Sequence, residues 1–363
     1  MIGIIVGTRP ELIKIYPVVS FFKKKKFKFK IIHTGQHYSG NLNDIFLRDF
    51  KILKPDYNLK IGSKPHSEQV SNMMIKIERI IEKGLFKSVL VYGDTNSAFA
   101  GAMVASKFNN IKVIHLEAGL RSFDKKMPEE LNRRLIDHSS DLLLCPTINS
   151  KKNLLDENIS PKKIFVVGNT IYDAIKSPLV QKHLGLFKNN IKRSNYIVLT
   201  IHREENTLNH KNLKIILKSL VKISKKFNYK IFFPTHPKTK KILNKIKYNK
   251  KIIKSIKPMN YFDFLYLMRN SKLIFSDSGG VQEEACILKI PLITIRNSTE
   301  RPETIKIGCN ILSKINDKKL YNDTLKLLNR KINWRNPYGD GKAAEKSYYI
   351  IKKFMKKNDS KYY

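Results

Sequence analysis

The sequence is poor in cysteine, in tryptophan and in acidic residues. Its 363 residues include three cysteines, one tryptophan and 30 Asp or Glu side chains, against 70 Lys and Arg. No two cysteines form a CxxC pair, which argues against a disulfide framework and against a zinc site. No apolar run reaches about 18 residues, so no membrane-spanning helix is predicted. The chain starts on the strand pattern MIGIIVG without a signal peptide, and we therefore expect a cytoplasmic protein.

The charge of the chain is strongly positive. Its formal net charge of +40 raises the hypothesis of a nucleic-acid or anionic-membrane partner. However, 13 of the 70 basic residues are arginine, and the lysines are spread along the chain. Proteins that read bases or grip phosphates depend more on arginine, because its planar guanidinium makes paired hydrogen bonds. We therefore expect no specific nucleic-acid partner and no membrane insertion.

Apolar segments of strand length alternate with amphipathic helical segments, which is typical of βαβ units and a parallel sheet. The strand-like segments are MIGIIVG, FKIIHTG, SVLVYGD, VIHLEAG, DLLLCPT and KIFVVGNT, and then YIVLTIHRE, YKIFFPTHP, KLIFSDSGG and PLITIRN. The pattern predicts an α/β protein with two Rossmann-like, doubly wound parallel-sheet domains. We place the first domain at 1–169, the second at 170–345, and a C-terminal helix at 346–363.

Polar residues follow the predicted strands at the points where the strands end. Seven loops share this position: GTRPE (7–11), HTGQH (33–37), GDTN (93–96), EAGLR (117–121), HREE (202–205), HP (236–237) and SGG (278–280). Ligands bind at the carboxyl ends of strands in open parallel sheets. We therefore expect these loops to line a cleft between the two domains.

Acidic side chains gather in the loops of the first half. Asp94 and Glu117 follow predicted strands, and Glu129 and Glu130 open the helix PEELNRR, which also carries Arg133. Each acid by itself would be an ordinary helix cap. Together they favour acid–base chemistry, because like charges held close together move pKa values apart. The chain has no G-x-G-x-x-G turn and no HExxH spacing, so we predict neither a tightly bound dinucleotide nor zinc.

The stretch FSDSGGVQEEA in the second half has two interpretations. It predicts a strand, a glycine turn, and a helix whose first turn carries Glu283 and Glu284. Acids there suit the helix dipole, so helix capping is one explanation. In the other, Ser278, Gly279 and Gly280 offer N–H groups to a phosphate, and Glu284 accepts a hydrogen bond from a sugar hydroxyl.

Arginines and histidines near the same loops favour the second interpretation. Arg9 in GTRPE and Arg301 in TERPETI are fork-shaped donors suited to phosphate. His202 and Arg203 in LTIHREEN fit a phosphate partner or a proton shuttle, although a histidine near a helix start is also a common structural residue. For His236 in PTHP the two explanations are equally good. Together these residues predict a nucleoside diphosphate ligand.

Eleven motifs, in order along nearly the whole chain, resemble the non-hydrolysing UDP-N-acetylglucosamine 2-epimerase family, which has the GT-B fold. They are GTRPELIK, TGQHY, VYGDTNS, HLEAGLRS, MPEELNRR, PTINS, VGNTIYDA, HREEN, DSGGVQEEA, TERPE and NPYGDG. The resemblance implies two Rossmann-like domains with an interdomain cleft, a last helix that returns to the first domain, and a homodimer.

The resemblance also implies an isomerase that needs no bound cofactor. UDP would be eliminated across C1 and C2 of the sugar to give a 2-acetamidoglucal, and would add back with protonation of the opposite face of C2. By motif, the catalytic residues would be Asp94, Glu117, Glu129 and His202. The substrate-binding residues would be Arg9, Lys14, Arg133, Arg203, His236, Ser278, Gly279, Gly280, Glu284 and Arg301.

The stretch Gln36-His37-Tyr38-Ser39 departs from the family. Many bacterial members carry Gln-His-Arg-Glu there, where a second UDP-GlcNAc acts as activator, so the resemblance does not carry that site over. The TGQHY and LRSF segments also resemble relatives that act on UDP-2,3-diacetamido sugars or their uronic acids. We expect interconversion of UDP-GlcNAc and UDP-ManNAc, and keep open these other sugars, a hydrolysing 2-epimerase and a GT-B glycosyltransferase.

Overall fold

The computed structural model describes residues 1–36, 54–186 and 195–359. The strands are β1 (Ile2–Val6), β2 (Phe29–His33), β3 (Tyr57–Asn58), β4 (Ser88–Tyr92), β5 (Lys112–Leu116), β6 (Leu142–Cys145), β7 (Ile164–Val166), β8 (Tyr196–Thr200), β9 (Lys230–Pro234), β10 (Ile253–Ile256), β11 (Leu273–Ser276), β12 (Leu292–Ile295) and β13 (Asn310–Ser313). The α-helices are α1 (Arg9–Lys24), α2 (His66–Ile81), α3 (Asn96–Ala105), α4 (Pro128–Ser139), α5 (Ile148–Asp156), α6 (Thr170–Lys176), α7 (Pro178–Leu186), α8 (Glu204–Thr207), α9 (His210–Phe227), α10 (Pro237–Leu243), α11 (Tyr261–Arg269), α12 (Gly279–Leu288), α13 (Pro302–Lys306), α14 (Asp317–Leu328) and α15 (Ala343–Asp359). Within these three ranges, no helix is long and apolar enough to cross a membrane.

Contacts divide the chain into two compact units. The first comprises Met1–Ser177 and Tyr338–Tyr363, and the second comprises Pro178–Pro337. The roles predicted for the two domains, sugar and acid–base chemistry in 1–169 and UDP binding in 170–345, stay predictions.

Each unit is built on a parallel sheet. The strand order is β3-β2-β1-β4-β5-β6-β7 in the first unit and β10-β9-β8-β11-β12-β13 in the second. The chain order reverses between β1 and β4 in one sheet and between β8 and β11 in the other. The predicted α/β class with two doubly wound parallel sheets is confirmed. Such reversal points are where ligands bind in open parallel sheets.

The central strands are buried along their whole length. Every residue of β1 and of β4 is buried, because helices cover both faces of the sheet. The ten strands predicted from apolar segments are all present. Three further strands, β3, β10 and β13, were not predicted, and each lies at an edge of its sheet.

The last helix packs against the first. The ring of Tyr348 on α15 lies 5.4 Å from that of Phe21, 6.0 Å from Phe22 and 5.5 Å from Phe27. The carboxylate of Asp173, on α6, accepts hydrogen bonds from N–H groups at the start of α15, at 2.9 and 3.2 Å. These contacts fix the end of the chain within the first unit.

Candidate active site

Loops at the two reversal points carry half of the predicted site residues. In the first unit, β1 is followed by residues 7–11 and β4 by residues 93–95. In the second unit, β8 is followed by residues 202–206 and β11 by residues 277–280. Paired parallel strands end at the same edge of the sheet, so within each unit the two loops lie side by side.

Glu11 ties the loop after β1 to the loop after β4. One carboxylate oxygen accepts hydrogen bonds from the N–H groups of Gly7, at 2.9 Å, and Thr8, at 2.7 Å. The other accepts a hydrogen bond from the Thr95 hydroxyl at 2.6 Å. Burial raises the pKa of Glu11 to about 7, although these hydrogen bonds act in the opposite direction. Glu11 was not predicted as a site residue from the sequence, although its spacing from Thr8 is a capping-box pattern.

Gly7 permits a close approach between this turn and its neighbours. A Cβ atom at Gly7 would lie 2.9 Å from the Cβ of Ser97, and closer still to the hydroxyls of Ser97 and Thr34. Those two hydroxyls are themselves 2.7 Å apart. Any side chain at this position would push the turn away from β2 and α3. Arg9 begins α1 directly after the turn and is half-buried.

Glu117 is a buried acid paired with a buried lysine. Its carboxylate forms an ion pair with Lys14. The Tyr92 hydroxyl lies 3.3 Å from Glu117 Oε2 and 2.8 Å from the Thr170 hydroxyl. The backbone of Glu117 has a φ of 76°, in the left-handed region that non-glycine residues rarely adopt. Backbone strain at a buried titratable group is typical of functional sites.

Asp94 is paired with Arg133. The Arg133 Nη2 and Nε atoms lie 2.7 and 2.8 Å from Asp94 Oδ2. Arg133 Nη1 lies 2.6 Å from Glu130, which also accepts hydrogen bonds from the Ser122 N–H and hydroxyl, both at 2.9 Å. Arg133 is therefore held between two acids, of which Asp94 is the more exposed.

Neighbouring acids on α4 have different surroundings. Glu130 is buried and Glu129 is exposed, because successive helical residues point about 100° apart. In the described part of the chain, no hydrogen bond or ion pair joins Glu129 to Asp94 or to Glu117. The catalytic role of Glu129 stays a prediction, and Glu130 is the acid that the structure builds into the ion-pair network.

A buried network lies behind the loops after β4 and β5. His115 Nδ1 lies 2.7 Å from Asp137 Oδ1, and His115 Nε2 lies 2.8 Å from the carbonyl oxygen of Gly93. Arg121 forms ion pairs with Asp137 and with Glu157, each at 2.7 Å. Burial acts to raise the pKa of Asp137, but His115 and Arg121 hold it below its ordinary value. The network fixes both loops, and it was not predicted from the sequence.

Asp277 holds the loop after β8 in the second unit. It is fully buried. Its carboxylate accepts hydrogen bonds from the N–H groups of His202, at 3.1 Å, and Arg203, at 3.0 Å, and from the Asn206 amide at 2.9 Å. Burial acts to raise the pKa of Asp277, but the contacts with His202, Asn206 and Arg203 lower it below its ordinary value. The His202 side chain itself is largely exposed.

Helix α12 begins earlier than predicted. Ser278 is its N-cap, with φ −85° and ψ 134°, and Gly279 and Gly280 are its first two residues. Glu283 and Glu284 therefore lie beyond the first turn, and the prediction that placed them in it is wrong. Glycine can open a helix as readily as it forms a turn, because it has no Cβ to restrict its backbone. Capping of the first turn thus does not explain the two acids, both of which are buried.

Arg301 lies against the start of α12. A Cβ atom at Gly279 would lie 2.7 Å from Arg301 Nη1 and closer still to Glu300 Oε1. Arg301 donates to Glu283 from Nε at 2.9 Å, and also pairs with Glu300. Glu283 is therefore a buried partner of Arg301. Glu300 in turn pairs with Arg296 at 2.9 Å, and Arg296 was not identified from the sequence.

Three arginines, Arg203, Arg296 and Arg301, share this region. Burial lowers the pKa of Arg296; Glu300 opposes that effect, whereas the charges of Arg203 and Arg301 add to it. Arginines gathered near the first residues of a helix fit an anionic group such as a phosphate.

The remaining predicted residues are placed individually. Glu284 is buried on α12, and His236 is exposed directly before α10. The stretch 37–39, where the sequence departs from the family pattern, lies outside the described residues. Among the residues that are described, no group of three or more His, Cys, Asp or Glu side chains is placed to hold a metal ion.

Two parallel sheets of Rossmann-like order, each with charged loops at its reversal point, define the GT-B class of α/β proteins. The family model of UDP-N-acetylglucosamine 2-epimerase matches residues 20–352. The chain belongs to this family of isomerases, and the resemblance is confirmed.

Relatives cover nearly the whole chain. A UDP-N-acetylglucosamine 2-epimerase from Methanocaldococcus jannaschii is 47% identical over an alignment of 361 residues, and the match covers 96% of this chain and 98% of that protein. A crystal structure of Methanocaldococcus jannaschii UDP-GlcNAc 2-epimerase in complex with UDP-GlcNAc and UDP matches with a TM-score of 0.87, over 97% of this chain and 99% of that one. A UDP-2,3-diacetamido-2,3-dideoxy-D-glucuronate 2-epimerase from Pseudomonas aeruginosa is 37% identical over an alignment of 314 residues, and the match covers 85% of this chain and 86% of that protein.

Proposed function

We propose that the chain is a non-hydrolysing UDP-N-acetylglucosamine 2-epimerase that interconverts UDP-GlcNAc and UDP-ManNAc. The observation that carries this proposal is the 47% identity, over 96% of the chain, to an enzyme of that name. The ion pairs of Asp94 with Arg133 and of Glu117 with Lys14 support it, because they hold two acids in fixed positions in the loops of the first unit.

The reaction inverts one carbon atom, C2 of the sugar. The hydrogen at C2 is weakly acidic, so its removal must be coupled to the departure of UDP from C1. The product of that elimination is a 2-acetamidoglucal, and UDP adds back as C2 receives a proton on the opposite face. Two proton-transfer groups are therefore needed, and general acid–base catalysis typically contributes about 10²–10⁴-fold. We assign these roles among Asp94, Glu117 and Glu129.

Cations of the first unit would hold these acids in place. Lys14 would orient Glu117, and Arg133 would orient Asp94, each through its ion pair. Arg9, at the start of α1, would donate to the sugar or to a phosphate.

Residues of the second unit would hold UDP as it leaves. The N–H groups at the start of α12, at Ser278, Gly279 and Gly280, suit the diphosphate, because a helix N-terminus attracts anions. The remaining residues assigned to UDP are Arg203 and Arg301 for phosphate, Glu284 for the ribose hydroxyls, His236 as a further substrate contact, and His202 for the departing diphosphate.

A second candidate substrate is a UDP-2,3-diacetamido sugar or its uronic acid. The 37% identity to the Pseudomonas aeruginosa enzyme supports it, but the 47% identity to the Methanocaldococcus jannaschii enzyme favours UDP-GlcNAc. A uronic acid would also need a cation near C5 of the sugar. A hydrolysing 2-epimerase, which releases UDP and free N-acetylmannosamine, is the alternative reaction.

Proton NMR of UDP-GlcNAc with the purified protein in D2O tests the proposal. We expect deuterium to enter C2 while the anomeric signal of UDP-ManNAc grows. Asp94→Asn is the matched control, because an amide of the same shape cannot take the proton. In this variant the entry of deuterium and the growth of the UDP-ManNAc signal should both be almost abolished. Accumulation of free UDP would indicate the hydrolysing reaction. Unchanged UDP-GlcNAc would contradict the proposal, and a UDP-2,3-diacetamido sugar would then be tested in the same way.

We also propose that the protein is a homodimer, as the family resemblance implies. Leu131 and Leu135 on α4 are 61% and 40% exposed, and residues four apart lie on one face of a helix. Paired apolar side chains on a surface fit an interface. Light scattering should give twice the chain mass of 42.2 kDa, and the double substitution Leu131→Asp with Leu135→Asp should give the single-chain mass. A wild-type protein of single-chain mass would contradict the proposal.

A further inference from the structure

We propose that Asp277 is a positioning residue for His202, whose ring it fixes so that Nδ1 carries a proton and Nε2 is left for the substrate. The proposal rests on the proposed function, in which His202 assists the departing diphosphate. In the sequence, Asp277 is one residue of the segment SDSGG and had no predicted role.

The two side chains come from neighbouring strands. β8 and β11 are paired in parallel, with Thr200 opposite Ser276, so the residues that follow both strands meet at one edge of the sheet. Asp277 Oδ1 lies 3.1 Å from His202 Nδ1. The Asp277 side chain is 0% exposed and that of His202 is 59% exposed. A fixed, buried acceptor therefore faces one nitrogen of a ring that is otherwise largely in solvent.

The chemistry of this contact determines which nitrogen carries the proton. Because its hydrogen bonds outweigh the effect of burial and lower its pKa, Asp277 is a carboxylate, which can only accept hydrogen bonds. His202 Nδ1 must then donate. When Nε2 also takes a proton, the adjacent carboxylate balances the charge of the ring. Nε2–H can then donate to the phosphate oxygen that gains negative charge as its bond to C1 breaks.

Asp277 also anchors the loop after β8, and this structural role has to be separated from positioning. Its second oxygen, Oδ2, accepts hydrogen bonds from the Arg203 N–H at 3.0 Å and from Asn206 Nδ2 at 2.9 Å. Asn206→Ala removes one of these anchoring bonds and leaves the contact with the His202 ring. It is therefore the matched control for a loss of stability alone.

Nitrogen-15 NMR of the histidine rings measures the tautomer directly. The His202 signals are assigned by their loss in His202→Gln. We expect the neutral ring to be the Nδ1–H tautomer in the wild-type protein and in Asn206→Ala, because the partner of one nitrogen sets the tautomer. In Asp277→Asn we expect a shift toward the Nε2–H tautomer. An Nε2–H tautomer in the wild-type protein would overturn the proposal, whether or not any variant folds.

Steady-state kinetics separates positioning from anchoring. Asp277→Asn should lower kcat by roughly 10²-fold or more, with a much smaller change in KM, because the misplaced group acts mainly in the transition state. Asn206→Ala should keep most of the wild-type kcat, even if its Tm falls as far as that of Asp277→Asn. Equal losses of kcat in the two variants would assign Asp277 to anchoring only. If the wild-type protein lacks epimerase activity, the proposed function is wrong, and the tautomer in the UDP-bound protein still decides the role of Asp277.

Discussion

Replacing Glu11 by glutamine is expected to remove a pH dependence from the stability of the first unit. Burial raises the pKa of Glu11 from 4.5 to about 7, so between these values the folded chain keeps a proton that the unfolded chain releases. The stability that this group contributes is fully present below pH 4.5 and is lost as the pH rises to about 7. Glu11→Gln stays neutral at every pH. Its amide oxygen can accept from the N–H groups of Gly7 and Thr8, and its NH2 group can donate to the Thr95 hydroxyl oxygen, which reverses the direction of the hydrogen bond that the carboxylate accepts from Thr95.

The size of the effect follows from the pKa difference. One pKa unit corresponds to about 1.4 kcal/mol, so the difference between 4.5 and about 7 corresponds to roughly 3 kcal/mol. Typical free energies of unfolding are about 5–15 kcal/mol, so ionisation of this one carboxyl would remove a large part of the total.

Urea denaturation followed by circular dichroism, at about pH 5 and about pH 8, measures the effect. The variant should gain roughly 2–3 kcal/mol in free energy of unfolding, relative to the wild-type protein, between the lower and the higher pH. Other titrating groups cancel in this comparison because both proteins share them. Glu68→Gln, at an exposed glutamate of the same unit, is the matched control. A difference between Glu11→Gln and wild type that is the same at both pH values would refute the reasoning.

Three further substitutions test the contacts of the candidate site. Lys14→Met should lower the free energy of unfolding by about 3–5 kcal/mol in urea denaturation, because it leaves the buried charge of Glu117 without its lysine, and adding Glu117→Gln should recover much of the loss. Gly279→Ala should weaken UDP binding in calorimetry, because its Cβ would lie 2.7 Å from an arginine nitrogen, whereas Gly280→Ala, with nothing within 4 Å of its Cβ, should bind normally. Equal affinities of the Gly279→Ala and Gly280→Ala variants for UDP would contradict this steric explanation. Glu284→Ala should weaken UDP binding with little change in Tm, and a lower Tm with unchanged binding would make Glu284 a structural residue.

The fold could be predicted where strands are buried on both faces. Such strands are continuous apolar segments, and all ten that the sequence showed are present. The missed strands β3, β10 and β13 lie at sheet edges, where one side is unpaired and polar residues are tolerated. Their sequences YN, IKSI and NILS carry no apolar signal of useful length.

The loops of the candidate site could be predicted from the sequence, but the pairs of side chains that contact each other there could not. The ion pair of Lys14 with Glu117 joins residues 103 positions apart, and no local pattern records such a contact. Asp137 and Asp277 are buried acids whose sequence surroundings resemble those of a surface helix and a turn. Their roles depend on partners brought by neighbouring strands. The start of α12 was missed because two glycines suit a turn and a helix equally well.

Two features of position 117, its left-handed backbone and its buried ion pair, favour different residues. The left-handed conformation costs a residue with a side chain roughly 1–2 kcal/mol, whereas it costs glycine almost nothing. Two positions further on, a φ of 80° is occupied by a glycine, Gly119. Glycine at position 117 would remove this strain but would leave the buried Lys14 without its carboxylate. The ion pair therefore works against the backbone freedom that glycine would bring. Among distant relatives with the same fold, a glycine at this position should be accompanied by loss of the lysine at position 14.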